Sequence, residues 1–157
     1  MIFSQEQQET FVRLAMSQAD MAMSEGNPPF GAVIVDENGE VLAVDHNTAA
    51  RSDMTCHAEI NLIRKIAKDF NRTKLNGCTA FINAASCSMC ASALIQAGVR
   101  DSYYGAPFEA HTNPAVSYTI LAQYCKEPIH VHEGILADEC KQQIERGREH
   151  QIRMENA

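Results

Sequence analysis

The 157-residue sequence predicts an α/β protein, a single domain over 1–157 built as a three-layer α/β/α sandwich around a mixed five-stranded sheet. Short β-branched apolar runs alternate with longer helical patterns, the order that makes βαβ units and parallel strands. One pair of runs is instead separated by Asp36-Glu37-Asn38-Gly39, whose Asn-Gly marks an antiparallel hairpin. A chain of this length can bury one real core.

Taken in order, Ser4-x-x-Gln7 is a capping-box signal, and Phe11, Leu14, Ala15, Met21 and Ala22 follow at roughly helical spacing until Gly26-Asn27-Pro28-Pro29 stops the helix. The hairpin strands are expected over 30–35 and 41–45. A helix over 57–70, a strand over 79–83, a helix over 89–97 and a strand over 101–104 supply the alternation. A helix over 115–124, a strand over 129–132 and a terminal helix from 136 complete the chain.

Composition narrows the setting. Apolar residues make up 45% of the chain without a run long enough to span a bilayer, so no membrane association is expected. The first 25 residues carry acidic side chains and no apolar segment of the kind a secretory signal needs, which makes the cytoplasm the expected compartment. There all six cysteines would be reduced, with Cys56, Cys78, Cys125 and Cys140 filling core. A net charge of −7 argues against a large RNA partner. Lys141, Arg146, Arg148 and Arg153 on the last helix form either a local basic patch or an ordinary solvated face.

The chemistry is carried by two short segments, Cys56-His57-Ala58-Glu59-Ile60 and Ser86-Cys87-Ser88-Met89-Cys90. One imidazole (His57) and two thiolates (Cys87, Cys90) suit Zn2+, and three protein ligands leave one corner of the tetrahedron for a water whose pKa falls from about 15.7 to about 7. Glu59 is placed to move that water's protons. Both segments are expected at helix N-termini, where partial positive charge and unpaired N–H groups favour thiolates. His57 and Glu59 pose a geometric question, since residues two apart on a helix lie roughly 200° apart around it. A first-turn location answers it, because side chains there lean towards the N-terminal end. Other readings are a redox Cys-x-x-Cys pair, or a structural zinc closed by Cys56 as fourth ligand.

His-x-Glu followed by Cys-x-x-Cys resembles the zinc signature of the cytidine, adenosine and guanine deaminase superfamily. The segment from Pro29 to Val35 is similar to the first strand of that cytidine deaminase-like fold, and 133–140 is similar to the start of the last helix in bacterial tRNA adenosine deaminases. The resemblance implies a hydrolytic deaminase, commonly a homodimer, with Asn47 hydrogen-bonding the base and Phe30 walling its pocket. Without it, Asn47 reads as a strand-ending turn residue and Phe30 as core. Two departures stand out: Ser86 occupies the place of the usual proline, and Asn83 that of a Ser or Thr, which predicts a reshaped strand-end pocket.

Segment 109–113 resembles the His-Thr-Asp stretch of bacterial guanine deaminases, with Asn113 in place of the aspartate. The Thr-Gly-Ala-Ala-Gly-Ser segment typical of tRNA adenosine deaminases is absent, as is the Trp of the guanine deaminase C-terminus. The resemblance thus implies a free purine or related base as substrate, with Asn113 in the pocket. A tRNA adenosine and a non-catalytic, zinc-stapled binding protein are the alternatives.

Overall fold

Helix α1 (Gln5–Ser24) starts at the expected capping box: Ser4 Oγ accepts from the Gln7 amide at 3.1 Å, and the Gln7 side chain accepts from the Ser4 amide at 2.9 Å. It leads into β1 (Gly31–Val35) and β2 (Val41–His46), an antiparallel pair whose register shifts between Ile34 and Val35. Asp36 Oδ1 accepts from the amides of Asn38 and Glu40, and Gly39 takes the left-handed conformation at φ 82° that the turn requires. The computed structural model describes residues 2–157.

Three more strands, β3 (Thr79–Ala84), β4 (Asp101–Ala106) and β5 (His130–His132), complete a sheet ordered β2-β1-β3-β4-β5. Strand β1 is antiparallel to both neighbours, whereas β3, β4 and β5 run parallel. The mixed five-stranded sheet is therefore as expected. Between these strands the chain forms α2 (Ala58–Phe70), α3 (Ser88–Ala97) and α4 (Tyr118–Ala122), and it ends in α5 (Ala137–Glu155).

Strand alternation divides the core into two layers. Ala32, Ile34, Ala80, Ile82 and Tyr104 face Leu62 and Ile66 of α2, Leu94 of α3 and Tyr118 of α4. Val33, Val35, Phe81 and Tyr103 face Val12 and Ala15 of α1 and Cys140 and Ile144 of α5. Each large side chain fully buried here stabilises the fold by about 1.5–3 kcal/mol relative to exposure. On the α1 face the approach is so close that a Cβ on Gly31 would lie 2.1 Å from the carbonyl oxygen of Ala15.

Helix α4 is shorter than the expected 115–124. Ser117 is its N-cap, accepting from the Ile120 amide at 3.2 Å, so the helix starts after the residues following Pro114 rather than within them. Asn83 also differs from expectation. It does not face the cleft but is buried with every polar atom used: Oδ1 accepts from the Gly31 amide, and Nδ2 donates to the Pro29 carbonyl and to Gln143 Oε1. Gln143 Nε2 in turn donates to the Met16 carbonyl and to Asp20. This buried amide chain fastens α5 to the sheet and to α1, and so fixes the wall from which Arg148 reaches the cleft. No described helix is long and apolar enough to cross a membrane.

Candidate active site

His57 and Cys87 occupy equivalent positions in two different helices. Each is an N-cap in extended conformation, with φ −71° and ψ 160° at His57 and φ −67° and ψ 169° at Cys87, and neither side chain caps its own helix. That settles the geometric question. His57 precedes the helix, so helical periodicity does not govern its direction, while Glu59 lies in the first turn of α2 and can approach the same space.

The donors converge as the spacing suggests. His57 Nδ1 lies 3.6 Å from Cys87 Sγ and 3.5 Å from Cys90 Sγ, and all three ligand atoms fall within 4.8 Å of one another. A tetrahedral zinc with Zn–S of about 2.3 Å and Zn–N of about 2.0–2.1 Å sets an N···S edge of about 3.6 Å. The residues present therefore fit the ion. Among the described residues this group comprises His57, Cys87 and Cys90; Cys56, though buried beside His57, is outside it, so the fourth-ligand reading finds no support.

Local electrostatics match a cation site. Hydrogen bonds from Cys90 and His57 hold the Cys87 thiol down to about 4, against the opposing effect of burial. The neighbouring Cys87 sulfur, burial and the Glu59 charge push the Cys90 thiol up, and contact with Cys87 raises His57. A divalent ion would displace the proton that the raised Cys90 thiol holds. Glu59 is only 5% exposed, and burial raises its carboxyl while a 2.7 Å hydrogen bond from Ser86 Oγ opposes the rise. The upward shift moves the carboxyl in the direction that lets one group both take and give a proton.

These groups open onto one cavity of about 390 Å³. Glu59, His57 and Cys87 line it together with Phe30, Asn47 and Asn113, so six of the seven expected site residues share it, and Cys90, fully buried, completes the donor group behind. Phe30 combines both of its readings, lining the cavity and packing against the α1-side core. Asn47 Oδ1 is taken by the Ala49 amide at 2.8 Å, which leaves its NH2 group to face a ligand.

Two features went beyond the sequence reading. Arg148 lines the cavity and pairs with Glu109 through both terminal guanidinium nitrogens, at 2.8 and 2.9 Å, tying the 107–113 loop to α5; His111 Nδ1 lies 3.3 Å from the same carboxylate. In sequence Arg148 is indistinguishable from its basic neighbours on α5. The second is the Ser86 bond to Glu59, whose only sequence signal is a hydroxyl where the motif has proline.

Residues 5–106 match the family described as the cytidine and deoxycytidylate deaminase zinc-binding region. The chain is 30% identical over 138 residues, 87% of its length and 80% of the relative's, to a tRNA-specific adenosine deaminase of Haemophilus influenzae. It is 32% identical over 108 residues, 68% of its length and 67% of the relative's, to the guanine deaminase of Bacillus subtilis. A structure solved in work on A-to-I editing by tRNA:A34 deaminases at the wobble position of transfer RNA superimposes with a TM-score of 0.76 at 29% identity, covering 85% of this chain and 98% of that one.

Proposed function

Because this chain belongs to the cytidine and deoxycytidylate deaminase zinc-binding family, we propose that it is a zinc-dependent aminohydrolase releasing ammonia from a free purine, guanine-like, or a related flat heterocycle. The observation that carries the reading is the meeting, in one base-sized cavity, of a three-donor metal group and a buried carboxylate that is not part of it. His57, Cys87 and Cys90 would hold the zinc, which supplies the Lewis acidity that makes a water nucleophilic at neutral pH. Glu59 takes a proton from the attacking water and passes it to a ring nitrogen. It then carries the hydroxyl proton to the exocyclic nitrogen, the C–N bond breaks, and ammonia leaves as the carbonyl forms. Phe30 offers a face for stacking, and the Asn47 NH2 a donor to a ring or carbonyl acceptor.

A small substrate is supported by the charge on α5, where Glu139, Glu145 and Glu149 interleave with Lys141, Arg146 and Arg153, and by the engagement of Arg148 with Glu109. We take the working unit to be a homodimer, which sedimentation of the zinc-loaded chain checks. The central test is ammonia release across guanine, adenine, cytosine, their nucleosides, pterins and aminotriazines. Fastest turnover of guanine or a related base is expected, and silence across the panel refutes the reading.

The second reading is deamination of an adenosine in tRNA, favoured by the similarity to the Haemophilus influenzae enzyme over 87% of the chain. It requires tRNA binding that weakens steeply as salt rises. Inosine formation in a tRNA anticodon arm would establish it.

A further inference from the structure

We infer that Ser86 is a positioning residue for Glu59: its buried hydroxyl holds one carboxylate oxygen so that the other is presented to the cavity. The inference rests on the deaminase reading and adds to it a residue that the signature motif does not contain. Ser86 Oγ donates to Glu59 Oε2 at 2.7 Å, and the two residues are 2% and 5% exposed. Glu59 lines the cavity and Ser86 does not, so the serine holds the carboxylate from outside the cavity lining.

The bond also spans the two halves of the site. Ser86 immediately precedes Cys87, the N-cap of α3, yet its hydroxyl is used on the first turn of α2. A carboxylate that carries protons between several positions gains from a fixed rotamer, because loss of alignment at the reacting atoms is costly. Proline, the residue the motif resemblance leads one to expect here, rigidifies its own backbone but has no hydrogen to donate. This chain thus places a side-chain hydroxyl where such a backbone constraint would otherwise act.

The test compares zinc-loaded wild type with Ser86→Ala, Ser86→Thr and Ser86→Pro, reading zinc content, crystal structures, kcat and KM. Ser86→Ala is expected to keep its zinc and a KM within about twofold, while kcat falls about 10- to 100-fold. In its crystal structure the Glu59 carboxylate leaves its wild-type orientation. Ser86→Thr, which keeps the hydroxyl, recovers most of kcat, and Ser86→Pro behaves like Ser86→Ala. Wild-type kcat in Ser86→Ala or Ser86→Pro overturns the proposal, as does a loss of rate that only follows a loss of zinc. Should wild type release no ammonia from any compound, the deaminase reading falls on its own. The crystal structures then decide the Ser86 claim, and an unmoved Glu59 in Ser86→Ala sinks it.

Discussion

An N-cap side chain ordinarily satisfies an amide of its own helix, and replacing a good cap by a residue that cannot do so costs about 1 kcal/mol. His57 and Cys87 both forgo that bond and turn to the shared donor group instead. The contrast with Ser4, which makes both bonds of its capping box, shows what ordinary capping looks like in the same chain. The candidate ligands were legible from residue type and motif for a related reason: a His and a Cys sit at helix starts where Ser, Thr, Asp or Asn would serve stability better. Ser86 was less legible, since a serine beside a helix start suggests capping and its partner lies 27 residues away in sequence. Exchanging Glu59 for Gln keeps the shape and removes the carboxylate to which we assign proton transfer. Glu59→Gln is expected to retain zinc by elemental analysis while ammonia release drops about 10²- to 10⁴-fold.

Among the elements, α5 shows how a distant helix becomes part of a site. Its buried stripe, Cys140, Gln143, Ile144 and Gly147, has helical spacing that the sequence displays openly, but the glutamine in that stripe is the informative residue. Gln143 bridges Asn83 of β3 to Met16 and Asp20 of α1, and Arg148 then emerges at the cleft. Such pairings join segments more than 100 residues apart, so local patterns could not announce them. The shortened α4 was missed for a local reason, because Ser117 is a stronger helix start than the residues just after Pro114. Gln143→Ala removes the three side-chain hydrogen bonds that tie α5 to β3 and α1, while Asn83 Nδ2 keeps the Pro29 carbonyl and Asp20 stays exposed to water. It is expected to lower stability by about 1–3 kcal/mol in all, measured as a fall in the urea midpoint.

For the molecule as a whole, the metal group joins the start of α2 to the start of α3, regions separated in sequence by β3. Zinc at 100 times its Kd is expected to add about 2.7 kcal/mol to the unfolding free energy, and a chelator to remove it, as a calorimetric melt would show. Loading also expels protons, because the Cys90 thiol, pushed up by the adjacent Cys87 sulfur, must ionise to bind. At least one proton per ion should appear in a weakly buffered titration near neutral pH. Affinity then weakens about tenfold for each proton released as pH drops by one unit.

Because α2 and α3 both begin at this spot, their amide-rich ends, each worth roughly half a positive charge, crowd like charge into one place. Sulfur supplies the counter-charge. A Cys87→Ser, Cys90→Ser protein lacks it, and its melting temperature is expected to climb with ionic strength more steeply than that of the parent, since dissolved anions would take over the shielding.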